Sequence, residues 1–170
     1  MIKARTAHSL CEVSSGKYIY AFGGSELKGQ SEKALDSIER IALGTGTELE
    51  ASIAQAQWEI LSDIKLPMAL SNLGCFPLSQ GEVLLFGGIA NGAKQSWGKV
   101  MMVMGGNQHS FLPGSIDLNK GDVFANTTQV TVLNKGQEQF ALIQGREAVH
   151  RLTLTTPVER SFTIEFDMLY

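Results

Sequence analysis

The segment Lys17-Tyr18-Ile19-Tyr20-Ala21-Phe22-Gly23-Gly24 joins a short apolar run to a pair of glycines. The run is rich in aromatic and β-branched residues, which is typical of a strand rather than a helix. Two further runs repeat this pattern: residues 82–86 end in the pair Gly87-Gly88, and residues 139–143 end in Gln144-Gly145. Because all three runs are apolar on both faces, we expect strands that neighbouring sheets cover on both sides.

Other apolar segments flank each run at similar distances. One precedes each run, at residues 9–13, 73–78 and 129–133, and another follows at residues 38–43, 100–104 and 149–154. A fourth segment carries an aromatic residue, which is Trp58, Phe111 or Phe162. This recurrence indicates a repeated unit of four strands. We expect the aromatic residues to pack between adjacent sheets, and the glycines to permit positive φ and close backbone approach.

The two cysteines fall at one position of this repeat. Cys11 lies twelve residues before Gly23, and Cys75 lies twelve residues before Gly87. We therefore predict buried apolar positions in equivalent slots, with a reactive or metal-bound thiol as the alternative. Two cysteines are too few for a disulfide framework or a zinc site.

Composition points to one folded domain over residues 1–170. Charged residues make up 18% against about 25% in typical soluble domains, and 44% are hydrophobic, which argues against disorder. The net charge of −3 gives no electrostatic reason to expect nucleic acid or an anionic membrane as a partner. No stretch approaches the ~18 apolar residues of a membrane helix, and no secretory signal opens the chain. We expect a cytoplasmic protein.

Few side chains suggest catalysis or metal binding. His8, His109 and His150 show no metal-ligand spacing, and we expect His8 and His150 to be structural and His109 to be solvated. The acidic residues are scattered, and we expect them at the surface. No nucleophile elbow, P-loop or metalloprotease motif is present.

The sequence resembles the kelch-repeat family of β-propellers. Besides the glycine-pair segment, the first unit has Arg5-Thr6-Ala7-His8-Ser9-Leu10, Ser37-Ile38-Glu39-Arg40 and Trp58. The second unit keeps Leu84-Leu85-Phe86-Gly87-Gly88 and has Phe111 in place of the tryptophan, and the third keeps only hydrophobicity. The resemblance implies an all-β fold of four-stranded antiparallel blades, at approximately residues 5–64, 69–115 and 124–170.

Three blades would form an incomplete propeller. Propellers close with about 4–8 blades, so an arc of three would leave two apolar faces exposed. Either the chain is a piece of a longer propeller, or it self-associates and two copies supply six blades.

The resemblance implies a non-enzymatic scaffold or adaptor without a cofactor, which binds a protein or peptide through inter-strand loops. The loop face would carry residues 25–36, 89–97 and 119–126, and loops on a rigid scaffold are where binding residues concentrate. The candidate binding residues are Glu26, Lys28, Lys33, Asn91, Lys94 and Trp97. The alternative is a fragment of a kelch-like enzyme such as a copper oxidase or sugar isomerase. A radical-copper site needs converging tyrosines and histidines, which Tyr18, Tyr20 and Tyr170 with three scattered histidines do not suggest.

Overall fold

A computed structural model of the chain describes residues 1–13, 17–29, 31–43, 56–78, 81–95, 97–104, 108–111, 116–117, 129–135, 138–144, 149–155 and 163–168. Within these ranges, side chains are described as far as Phe111, other than those at positions 78, 94, 97, 100, 102 and 104. The described part is all-β and contains several antiparallel sheets, which confirms the predicted fold class at that level.

The first six strands form sheet 1 and a separate hairpin. Sheet 1 has the order β1-β2-β5-β6, and all its neighbours are antiparallel. The hairpin β3–β4 is inserted between β2 and β5. The bounds are β1 Ser9–Val13, β2 Tyr18–Phe22, β3 Ser25–Lys28, β4 Ser31–Ala34, β5 Ser37–Ala42 and β6 Trp58–Lys65.

Two further sheets follow along the chain. Sheet 2 comprises β7 Ser71–Leu78, β8 Glu82–Ala90, β10 Trp97–Met104 and β11 Gln108–Phe111, with the short strands β9 Ala93–Lys94 and β12 Ile116–Asp117 at its margins. Sheet 3 comprises β13 Gln129–Lys135, β14 Glu138–Gln144, β15 Val149–Thr155 and β16 Thr163–Met168. In each sheet the four long strands are neighbours in chain order, so hairpin-like connections suffice.

The first strands of successive sheets are neighbours, because β1 lies against β7 and β7 lies against β13. At the outer side, β6 of sheet 1 approaches β11 of sheet 2. The core between sheets 1 and 2 contains fully buried side chains from both, among them Tyr20, Phe22, Ile38, Leu85 and Met101. Burying each of these large side chains stabilises the fold by roughly 1.5–3 kcal/mol.

The glycine pairs have the backbone conformation that the sequence predicts. Gly23 and Gly24 have φ values of 58° and 94°, and Gly87 and Gly88 have 62° and 100°. A Cβ atom on Gly23 would lie 2.3 Å from the carbonyl oxygen of Leu70, which belongs to the connection between sheets 1 and 2. The backbone nitrogen of Gly24 donates a hydrogen bond to that same oxygen at 2.8 Å. The pair therefore lets sheet 1 approach this connection closely.

Cys11 and Cys75 are both buried, as predicted, but they do not occupy equivalent slots. Cys11 pairs with Tyr20, three residues before Gly23, whereas Cys75 pairs with Leu85, two residues before Gly87. Because side chains alternate along a strand, this difference of one residue puts the cysteines on opposite faces of their sheets. As a result, both lie in the core between sheets 1 and 2. The Cys75 thiol donates to the carbonyl oxygen of Leu10 at 3.2 Å.

Two segments expected to be loops contain strands. Residues 25–36 hold the hairpin β3–β4, and β8 continues to Ala90 before a two-residue turn, Asn91-Gly92, leads into β9. Asn91 and Gly92 both have positive φ, 50° and 76°, as expected for a tight hairpin turn. The expected loop at residues 119–126 and the aromatic Phe162 lie outside the described residues.

Replacing Gly23 by alanine tests the close approach to Leu70. We expect Gly23→Ala to lower the free energy of unfolding by about 2–5 kcal/mol, the sum of left-handed backbone strain and steric overlap. The matched control is Gly29→Ala, because Gly29 also has positive φ (66°) but would have no atom within 4 Å of a Cβ. In the control, the free energy of unfolding should fall by only about 1–2 kcal/mol, the cost of backbone strain alone. Equal losses in chemical denaturation would contradict the account.

Candidate functional site

Three of the predicted binding residues share one face of the β3–β4 hairpin. Glu26 and Lys28 alternate along β3, and Lys33 is the cross-strand partner of Glu26. The Lys28 Nζ atom lies 3.3 Å from a carboxylate oxygen of Glu26. The other face presents Leu27, which is 65% exposed and lies opposite Glu32. The hairpin thus combines a charged face with an exposed apolar side chain.

The remaining predicted binding residues lie in sheet 2. Asn91 is exposed in the turn between β8 and β9, Lys94 ends β9, and Trp97 begins β10 rather than ending a loop. The side chains of Lys94 and Trp97 lie outside the described ones. The β8–β9 turn and the β3–β4 hairpin hold the same place in their sheets, since each follows a glycine pair and precedes the next long strand.

One face of sheet 1 has no other sheet against it in the described part of the chain. We call this the open face. Residues paired across antiparallel strands share a face, so the strand register defines two rows of side chains on it. Leu10 and Ile60, at the two ends of one row, are 54% and 39% exposed, and Ile19, Ile41 and Trp58 in the other row are half-buried. The rows are Leu10–Ala21–Glu39–Ile60 and Glu12–Ile19–Ile41–Trp58.

Glu39 is a charged member of this face, and it is fully buried rather than at the surface as expected. Its carboxylate forms an ion pair with the buried guanidinium of Arg5 and accepts hydrogen bonds from the backbone nitrogens of Ile2 (2.7 Å) and Lys3 (3.0 Å). Burial acts to raise the pKa of Glu39, but these hydrogen bonds and the Arg5 charge lower it overall. The N-terminal segment therefore neutralises the charge in the open face.

Arg5 also joins the glycine pair to sheet 1. Its guanidinium donates to the carbonyl oxygens of Gly23 (2.7 Å) and Ser37 (3.2 Å). His8, expected to be structural, packs beside Gly24, where its Cβ would lie 2.8 Å from a Cβ on that glycine. Burial, followed by the Arg5 charge, lowers the pKa of His8.

A polar network crosses between sheets 1 and 2. Nδ1 of His109 lies 2.8 Å from a carboxylate oxygen of Asp63, and the ring's Nε2 lies 3.1 Å from the Tyr20 hydroxyl. When Nδ1–H donates to Asp63, Nε2 of the neutral ring accepts from Tyr20. The expectation of a solvated His109 is wrong, since its side chain is only 1% exposed.

The electrostatics of this network fit a structural contact. Burial raises the pKa of the Tyr20 hydroxyl, which keeps it neutral and able to donate. Partial burial acts to raise the pKa of Asp63, but the hydrogen bonds that its carboxylate accepts from His109 lower it overall. Tyr20 is fully buried, so no substrate could reach its hydroxyl in this conformation. The three residues therefore link two sheets rather than form an accessible catalytic group.

Metal ligation and similarity to known proteins give no further assignment. The described residues contain no group of three His, Cys, Asp or Glu side chains that could hold a metal ion. They also contain no helix long and apolar enough to cross a membrane. No protein-family model matches the chain, and a search of curated proteins finds no match. The candidate sites therefore rest on their own geometry.

A double-mutant cycle on Tyr20 and His109 tests the inter-sheet network. We expect His109→Phe to lower the free energy of unfolding by about 1–3 kcal/mol, because it leaves the buried Tyr20 hydroxyl without an acceptor. Tyr20→Phe removes that hydroxyl. The decrease in unfolding free energy of the double variant should therefore be smaller, by at least ~0.5 kcal/mol, than the sum of the two single decreases. Additive losses in urea denaturation would show that the two side chains do not interact.

Proposed function

We propose that the chain is a non-enzymatic protein-interaction module of the kelch type, acting as a cytoplasmic scaffold or adaptor. Three features support this proposal: three successive antiparallel sheets, their neighbouring first strands, and glycine pairs in the left-handed conformation. In this proposal the sheets are blades of a β-propeller. Each blade covers its neighbour, which leaves the connections between strands free to bind a partner.

The observation that carries the binding role is the β3–β4 hairpin. Its backbone is ordered into paired strands, and the bridge between Thr6 and Ser25 ties its base to the N-terminal segment. An ordered hairpin loses little conformational freedom when it binds. Leu27 supplies exposed apolar area, while Glu26, Lys28 and Lys33 supply charges of both signs on the other face. The partner that fits is a protein segment or peptide with an apolar side chain that packs on Leu27, beside Glu32.

Selection from a random peptide library tests this proposal with the whole chain as bait. We expect enriched peptides to bind the chain with micromolar Kd and to bind Leu27→Glu at least tenfold more weakly. The matched control is Met68→Glu, because Met68 is also an exposed apolar residue (38%) but lies in the connection between sheets. The control should change Kd less than twofold. Failure to enrich any peptide, or equal effects of the two substitutions, would contradict a binding role for the hairpin.

A further inference from the structure

Sheet 2 shows what covers a sheet of this kind. Its face toward sheet 1 includes the row Val83–Met101–Phe111, defined by the strand register. Val83 and Met101 are fully buried there, and Phe111 packs against the core between the sheets. This row of sheet 2 is covered by the face of sheet 1 that contains Tyr20 and Phe22, which is the face opposite to the open face.

The row Ile19–Ile41–Trp58 of sheet 1 is the counterpart of that covered row. Ile19 lies four residues before Gly23, as Val83 lies four residues before Gly87. Both rows then run across the next two long strands and end in an aromatic residue of the fourth strand. In the described part of the chain, no sheet covers this half-buried row of sheet 1, although sheet 2 buries the row that corresponds to it. Such a surface fits the covering face of another sheet of the same kind.

We propose that a second copy of this chain covers the open face of sheet 1. Sheet 3 of that copy would supply the cover, because it stands at the other end of the row of sheets, next to sheet 2. The reciprocal contact would form between sheet 1 of the second copy and sheet 3 of the first. Two identical head-to-tail contacts related by a two-fold axis close a ring, so the assembly stops at two copies. This inference does not depend on the hairpin's binding role.

The charge and polarity of the open face favour sheet 3 of a second copy as its cover. The Glu39 carboxylate is already paired with Arg5 and with two backbone nitrogens, so covering it leaves no unpaired charge. The exposed carboxylate is that of Glu12, at the end of its row on β1. All other members are apolar: Leu10, Ala21 and Ile60 in one row, and Ile19, Ile41 and Trp58 in the other. An apolar sheet face is the complement that such a surface requires.

Light scattering after size exclusion, over a range of concentrations of the full chain, tests the proposal. We expect a discrete species of twice 18.4 kDa. Ile60→Glu and Leu10→Glu place a charge at opposite ends of one row, and each should weaken the dimer at least tenfold. Circular dichroism checks that both variants keep their strand content. Met68→Glu is the matched control, since Met68 (38%) is about as exposed as Ile60 (39%) but lies in the connection between sheets 1 and 2, and it should leave the dimer unchanged.

Fluorescence supplies a second readout that does not require a variant on the open face. In a Trp97→Phe background Trp58 is the sole tryptophan. Its emission should shift to shorter wavelength as the concentration rises through the dimer range. A folded chain that stays monomeric with Trp58 accessible would overturn the proposal, as would open-ended oligomers or a dimer unaffected by both substitutions. The peptide-binding result can fail without changing this outcome, because Leu27 lies outside the open face.

Discussion

The approach of the Gly23-Gly24 backbone to the carbonyl oxygen of Leu70 is the contact on which the arrangement of sheets 1 and 2 depends. A side chain at Gly23 would push sheet 1 away from the connection that leads into sheet 2, and a side chain at Gly24 would meet Thr6 and His8 of the N-terminal segment. The same two residues hydrogen-bond to the start of β5 and to the stretch before it, since the Gly23 nitrogen donates to the Ser37 oxygen and the Leu35 nitrogen donates to the Gly24 oxygen. With Arg5 on the Gly23 oxygen, three parts of the chain meet at this turn.

Apolar burial between the sheets supplies stability, whereas polar contacts select one alignment. The chain Asp63–His109–Tyr20 is satisfied only when β11 lies opposite β6 at this position. Any sliding of the sheets would leave a buried hydroxyl without an acceptor, at a cost that apolar contacts do not impose. The face of sheet 1 that points away from this interface contains no such network among the described residues beyond the Arg5–Glu39 ion pair. Apart from Glu39 and the exposed Glu12, the two rows of this face are apolar.

Strand-forming segments and glycine conformations could be predicted from the sequence, because both follow from local chemistry. Runs such as Tyr18–Phe22 favour extended backbone, and paired glycines mark positive φ. The slots of Cys11 and Cys75 could not be predicted, because hairpin register differs by one residue between the two sheets and equal spacing does not show it. The Asn91-Gly92 dipeptide is a typical hairpin turn sequence, although we expected a loop over residues 89–97.

The sequence analysis placed Glu26, Lys28 and Lys33 in one loop but did not predict their hairpin pairing. It also did not single out Leu27 or predict the partners of His109 and Glu39. Those partners are distant along the chain: Tyr20 and Asp63 meet His109 from another sheet, and Arg5 meets Glu39 from the N-terminal segment. Spacing within one strand carries no information on such contacts. Charged residues flanked by apolar ones, as Glu39 and Arg40 are by Ile38 and Ile41, could have indicated a buried ion pair.

The assignment of covered and open faces requires that Cys11 and Cys75 lie in one core, and their coupling energy tests this most directly. The Cys75 thiol, followed by burial, raises the pKa of Cys11, as expected for two neighbouring buried thiols. Unfolding free energies of Cys11→Ala, Cys75→Ala and the double variant should give a coupling of about 0.5 kcal/mol or more. Additivity within about 0.3 kcal/mol would place the cysteines apart and contradict the face assignment.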